Sequence, residues 1–305
     1  MGQAPLNYFT QSHGPAAGPT LWLDWTFTAI VCLVCVIVAV LLVAALFRRR
    51  PAGTAVMAHD GRGLMWIYVG TGISSVVLIA MAVHAVIALN AVAEPPTTPA
   101  LTIKVTGYDW WWAANYGDFT TANEIHIPTG VPVRIDLATA DVIHAFWVPQ
   151  LAGKTQMIPG RANHQWLQAD TPGVYRGQCT QFCGLQHAHM AFEVVAQSPA
   201  DFARWRTAQA APAVTTGAPG EALFVANCGS CHTVRGTAAN GIHAPDLTHL
   251  MSRRQLAAGT LDNTPQNLAL WVAHPQSVKP GVNMPETTLS AADQAQLDAY
   301  LGTLK

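Results

Sequence analysis

The chain has 305 residues, half of them hydrophobic and only 11% charged, where soluble domains average about 25% charged. That balance excludes an intrinsically disordered chain, which needs high charge and little apolar surface, and argues against one large soluble domain. With 16 Lys+Arg against 17 Asp+Glu and a formal net charge of −1, there is no basic excess to neutralise phosphates, so nucleic acid is not an expected partner.

Residues 26–47 contain no Asp, Glu, Lys or Arg, and neither do residues 64–93. A helix needs about 20 apolar residues to cross the hydrocarbon core, so two transmembrane helices are expected, at about 23–47 and 64–92. The first is not a cleaved signal peptide: no positive region precedes it and it ends on Arg48-Arg49-Arg50 rather than a small-residue cleavage site. Arg48, Arg49, Arg50 and Arg62 lie between the spans, while residues 1–25 carry no Lys or Arg. The positive-inside rule makes that loop cytoplasmic, with both chain ends and everything after Glu94 outside. Trp22, Trp25, Trp66 and Tyr68 sit near the span ends, where amphipathic rings favour the interface. Cys32 and Cys35 are expected to face lipid or a helix contact. His84 reads as a helix–helix contact, with a functional role as the alternative.

Glu94 to Pro99 is a stiff, Pro-rich exit from the membrane. From about 100 to 196 the pattern becomes short and alternating: LTIKVTGYDW, NEIHIP, VPVRIDLATA, HAFWVP, HQWLQA and MAFEVVA read as strands of a small all-β sandwich or barrel. Residues 199–207 read as a short closing helix, and 208–220 as a flexible linker of Ala, Pro, Gly and Thr. Helical spacing returns in 221–305, as in GEALFVANC and SAADQAQLDAYLGTL. The expected division is 1–95 for the N-terminal segment and hairpin, 96–207 for the β domain, 208–220 for the linker and 221–305 for a helical domain.

The six cysteines fall in three pairs. Cys228-Gly229-Ser230-Cys231-His232 has the C-x-x-C-H spacing of covalent haem attachment: two thiols on one helical turn reach the vinyl groups of one haem, and the adjacent His232 meets the iron. A thioether as sixth ligand raises the potential of an electron-transfer haem. Met284, in a Pro-rich stretch, is the first candidate; Met251 and His243 are its rivals.

The second cluster runs from Cys179 through Cys183 and His187 to Met190. Soft sulfur with imidazole selects copper or zinc over hard ions. An upstream strand offers His144. A β domain that supplies one distant His and a loop of Cys, His and Met builds its site as copper-binding β-sandwiches do. One copper electron-transfer ion needs a single Cys and two His. Two cysteines four apart let both sulfurs bridge two copper ions, each with one His, leaving the axial positions to a thioether and a main-chain carbonyl.

These residues carry a resemblance. Gly107-Tyr108-Asp109-Trp110-Trp111-Trp112, Asp141 to Pro149, Gly153-Lys154, Ile158 to Asn163 and the C-x3-C-x3-H-x2-M loop, followed by C-x-x-C-H, resemble subunit II of haem–copper cytochrome c oxidases with a cytochrome c domain fused at the C-terminus, the caa3-type arrangement. The resemblance covers nearly the whole chain. It implies a multi-domain membrane protein: a transmembrane hairpin, a cupredoxin-like copper-A domain and a small all-α class I cytochrome c. It implies a binuclear copper centre held by His144, Cys179, Cys183, His187, Met190 and the carbonyl of Gln181, and one covalent haem c on Cys228, Cys231, His232 and Met284. Trp110 matches the aromatic residue through which electrons enter, and Arg161 one that faces the oxygen-reducing subunit. The implied partners are oxidase subunits I and III and an upstream cytochrome c or quinol-oxidising complex. The implied location is the bacterial inner membrane, with both cofactor domains on the periplasmic side.

Two departures matter. Gln181 stands where relatives commonly have a Glu that helps bind magnesium or manganese, and a neutral amide is a weaker ligand for a hard ion. Relatives also place a Glu near the start of the second span, where this chain has His59 and Asp60. Nitrous-oxide reductase shares the copper loop but needs a large His-rich propeller, for which there is no room. Quinol-oxidase subunits lack the copper ligands. A membrane-anchored copper carrier or assembly factor is the remaining alternative, and it does not explain the C-x-x-C-H domain.

Overall fold

A computed structural model describes residues 10–48, 62–214, 217 and 219–305. The basic residues Arg49 and Arg50, and His59 and Asp60, lie outside the described residues. The chain divides into two units: Gly18–Glu94, and Pro95–Lys305 together with the segment up to Ala17.

The first unit is a pair of helices, α1 (Gly18–Phe47) and α2 (Arg62–Ala93). α1 has 30 residues, about 45 Å at the α-helical rise and longer than the hydrocarbon core is thick. Both helices expose large apolar side chains all round, among them Leu33, Val36, Leu41, Ile73, Leu78 and Ile79. A helix that is apolar on every face and uncovered by protein belongs in lipid, so these two helices anchor the chain in a membrane. Cys32 and Cys35 are exposed in the same way. On α2, Met81 and Ala88 are buried and His84 and Ala85 half-buried, a stripe at helix-packing spacing. His84 therefore sits in a helix–helix seam.

The second unit begins as a β-sandwich. A five-stranded sheet has the order β3 (Thr120–Ala122), β2 (Trp111–Asn115), β1 (Leu101–Tyr108), β5 (Val133–Thr139), β8 (Asn163–Leu167). A three-stranded sheet has the order β4 (Glu124–Pro128), β10 (Ala191–Gln197), β9 (Gly173–Gln178). The hairpin of β6 (His144–Trp147) and β7 (Lys154–Met157) sits beside them. Strand β1 alternates buried and open residues and pairs in parallel with β5, so Ile103, Val105, Ile135 and Leu137 all point inward with Trp112, Phe146 and Phe192. Strand β4 is buried at every position, because helix α3 (Pro199–Ala210) covers its outer side: Trp205 stacks on His126 at 3.9 Å between ring centroids. The N-terminal segment is tied to this domain too. His13 N–H donates to the Gln150 carbonyl at 2.8 Å and His13 carbonyl accepts from Asp170 N–H at 2.9 Å, with Ala16 and Ala17 buried.

The sequence pattern anticipated β1, β4, β5, β6, β8 and β10, but not β2, β3, β7 or β9. Helix α3 runs three residues past its expected end, and the segment after it is not the free linker expected. Gln209 is buried and donates to Ser252 Oγ at 3.2 Å; Arg235 donates to the carbonyls of Gln209 and Ala210; Ala213 N–H donates to the Arg235 carbonyl. Buried backbone groups must find partners, and here the following domain supplies them.

That domain holds α4 (Pro219–Asn227), a two-stranded ribbon β11 (Gln255–Leu256) and β12 (Leu261–Asp262), α5 (Pro265–Ala273), α6 (Pro275–Val278) and α7 (Ala291–Leu301). α4 and α7 pack through Phe224 and Tyr300, whose rings lie 5.7 Å apart. Leu268, Val272, Leu297 and Leu301 complete its core.

Candidate metal centre

Strand β6 begins with His144, and the loop between β9 and β10 carries Cys179, Cys183, His187 and Met190. The fold brings their donor atoms together. The two Sγ atoms are 3.8 Å apart. His144 Nδ1 lies 3.9 Å from Cys179 Sγ, and His187 Nδ1 3.4 Å from Cys183 Sγ. Met190 Sδ is 3.8 Å from Cys183 Sγ, and the Gln181 carbonyl oxygen 3.3 Å from Cys179 Sγ. His144 and Met190 are fully buried and both cysteines nearly so.

The electrostatics suit a cation. The hydrogen bond from Cys183 brings the Cys179 thiol well below its usual range, helped by His144 and opposed by burial. Cys183 is driven the other way, because a second thiolate would form beside the first in a buried place. Two thiolates this close are stable together only when positive charge lies between or beside them. Soft sulfur and imidazole in one pocket therefore fit copper by donor chemistry. Asp141 accepts from His144 Nε2 at 2.8 Å, which leaves Nδ1 for the metal side. Gly107 makes room for this ring, since a Cβ there would come 2.9 Å from His144 Cδ2. The side chain of Gln181 turns outward to Gln156 at 3.4 Å and does not join the sulfur cluster.

Trp110, half-buried, donates from Nε1 to the Cys183 carbonyl at 2.8 Å. Trp112 is a core residue packed between Phe146 and Phe192, and Trp111 stacks on Tyr108. Arg161 is exposed. His189 hydrogen-bonds Gln186 and stays on the outside, away from the sulfurs.

In the helical domain Cys228, Cys231 and His232 follow α4. His232 Nδ1 lies 2.8 Å from the Pro245 carbonyl, so that nitrogen is the donor and Nε2 is free to face an iron. Burial lowers the pKa of His232, which keeps it neutral as a ligand must be. Arg253 lies near His232; its guanidinium donates to the Asp246 carbonyl, while its Nε is buried with no partner. An orphaned buried guanidinium nitrogen fits an anionic group such as a haem propionate. Met284 is half-buried on a strap that Gln276 holds through the carbonyls of Val282 and Met284, both at 2.8 Å. Met251 packs on the domain core and His243 is exposed.

Two regions of the chain match known protein families. The family model for the periplasmic domain of cytochrome c oxidase subunit II matches residues 120–198, and that for cytochrome c matches 217–305. Cytochrome c oxidase subunit 2 of Alkalihalophilus pseudofirmus is 34% identical over 87% of this chain and 80% of its own length. The chain belongs to the cytochrome c oxidase subunit 2 family. The subunit 2 proteins of Bacillus sp. PS3 and Bacillus subtilis are 33% and 31% identical, with 62% and 63% of their own length covered. A crystal structure of the periplasmic domain of subunit II from Bradyrhizobium japonicum is similar over 37% of this chain, at 33% identity and a TM-score of 0.36. The chain is thus an electron-transfer subunit of an oxidoreductase, with a copper-A-type domain and a cytochrome c domain.

The sequence motifs contain Asp141 without assigning it a role, and they do not include Lys279. Asp141 has a readable signal, an Asp three residues before a candidate ligand His. Lys279 has none, because its role depends on which surface the helical domain meets.

Proposed function

We propose that the chain carries electrons as subunit II of a respiratory terminal oxidase, entering at the helical domain and leaving through the copper loop toward subunit I. The observation that carries this reading is the convergence of Cys179, Cys183, His144, His187, Met190 and the Gln181 carbonyl on one buried spot. Cys179, Cys183, His144, His187, Met190 and the Gln181 carbonyl would together hold two copper ions. Cys228 and Cys231 would hold one haem c covalently, and His232 and Met284 would be the residues offered to its iron. When bound, these groups supply two one-electron carriers whose soft, rigid ligands reorganise little. The protein's own part is to hold the donors fixed: Asp141 orients His144, Gly107 gives its ring space, and Trp110 binds the copper loop at the Cys183 carbonyl. That last bond supports reading Trp110 as the residue through which electrons pass from the helical domain to the copper loop.

The two apolar helices, the Arg-rich stretch between them in the sequence and the N-terminal segment packed on the β domain support a reading with both cofactor domains on the periplasmic side of a bacterial inner membrane. Subunits I and III are the expected partners, with a cytochrome c or quinol-oxidising complex upstream. The test is metal and haem content with electron paramagnetic resonance on the full chain. Two coppers per haem, with one unpaired electron shared equally by two copper nuclei, is the expected result. One copper with a localised spectrum, or zinc in its place, would refute the binuclear assignment.

A further inference from the structure

The β domain and the helical domain meet in a built interface. Its centre is Lys279, only 2% exposed. Its Nζ donates across the boundary to the Trp110 carbonyl at 2.8 Å and back to the Ala257 carbonyl at 3.1 Å. Burial of an ammonium is costly unless it is hydrogen-bonded, and burial pushes this one down to about 7. Beside it, the buried Gln186 of the copper loop donates to the Pro280 carbonyl at 2.7 Å. Gly281, at φ +86, lies so close that a Cβ would sit 3.1 Å from Leu185 Cδ2 and 3.9 Å from the Trp110 ring. Gln276 accepts from Gly281 N–H and also holds Met284, so the strap bearing Met284 is the strap that rests on Trp110.

The other side of the contact is a turn in an unusual backbone conformation. Ala257 and Ala258 have φ of 50 and 57, a left-handed region that side chains disfavour. Such strain persists where surrounding contacts fix it. Here the Ala257 carbonyl accepts from Lys279, and the Ala258 carbonyl accepts from Ala191 N–H at 3.0 Å, one residue past Met190. Arg254 closes the edge on Glu193 and Glu124.

We propose that Lys279 is a positioning residue that locks the cytochrome domain onto the Trp110 face of the copper domain, so that the two work as one docked body and a separate donor protein cannot reach Trp110. This rests on the reading of Trp110 as the entry residue, but the dock itself does not. A tethered domain that visits by diffusion would meet its partner through hydrated, salt-screened charges. A buried lysine capping carbonyls of both domains belongs to a permanent interface.

The experiment uses the full chain, loaded with haem and copper, with Lys279→Met as the variant. Hydrogen exchange of the Ala191 amide, read by mass spectrometry, reports the dock directly. In the parent protein that amide should be protected at high salt. In Lys279→Met it should exchange at least about tenfold faster, with α4, α7 and the β1–β5 core unchanged. Electron transfer between the two domains after photoreduction should slow in parallel, and a soluble cytochrome c should gain direct access to the copper domain. Gly281→Val, which drives a side chain against Leu185, should act the same way and stands in if Lys279→Met fails to fold. An Ala191 amide that exchanges freely in the parent, or one left protected in both folded variants, would overturn the proposal. The exchange measurement holds whatever the metal content, so a failure of the copper or haem assignment would be recognised separately.

Discussion

Gly107 has no side chain, and His144 occupies the space one would fill. Gly107→Ala places a Cβ 2.9 Å from the imidazole, tighter than real contacts allow, and the ring has no slack because it is fully buried. We expect this variant to lose copper during dialysis against a chelator while keeping its haem. Asp141→Ala removes the acceptor that sets which nitrogen of His144 faces the sulfurs. Loss of such an outer partner lowers metal affinity about 10–100-fold, which a competitive copper titration measures. Phe224 fills the seam between α4 and α7 and is 1% exposed. Phe224→Ala should destabilise the cytochrome domain by about 3–5 kcal/mol, seen as a lower denaturant midpoint followed at the haem absorption band.

At the scale of elements, β4 carries two ionisable residues into a strand that is buried along its whole length. Burial alone would raise the Glu124 carboxyl, but hydrogen bonds from His126 and from the Arg254 backbone outweigh it and hold it below the usual carboxylate range. A carboxyl whose folded pKa lies below its unfolded one stabilises the fold above the unfolded value, and that stability is lost as pH falls through the folded value. Thermal midpoints measured against pH should therefore fall in acid, and Glu124→Gln should flatten that limb. Glu193, raised by burial, acts in the opposite sense, so the comparison of the two proteins isolates Glu124. The elements themselves were unequally legible. Strands such as β1 and β5 show because one face is apolar and the other polar. β7 reads KTQM with little apolar signal, and β9 is framed by Gly173 and Gly177; both are strands because of their neighbours. The candidate copper loop shows in the sequence because Cys179, Cys183, His187 and Met190 lie close together, whereas His144 joins them only through the fold. The segment after α3 reads as a free linker in sequence, because Ala, Pro and Thr carry no sign of the hydrogen bonds that Arg235 exchanges with Gln209, Ala210 and Ala213.

For the whole molecule, the fused domain is an integral part of the copper domain's surface. Removing residues 211–305 should leave copper bound, since every donor in the cluster lies before that point. It should also slow reduction by a donor that enters through the haem domain while opening the Trp110 face to a soluble cytochrome c, and stopped-flow reduction of the truncated and full chains with each donor compares the two. Another consequence concerns how the protein is made. The His13 hydrogen bonds join the first described residues to Gln150 and Asp170, and both lipid-facing helices lie between them in the sequence. The ribosome delivers that N-terminal segment long before its partners exist. It must wait through the insertion of α1 and α2 and then be captured by a β domain arriving on the same side of the bilayer. A hairpin inserted with only one crossing would strand the segment opposite its docking site. Completion of the copper domain thus reports that both helices of the anchor crossed, and the fold carries its own checkpoint on membrane biogenesis.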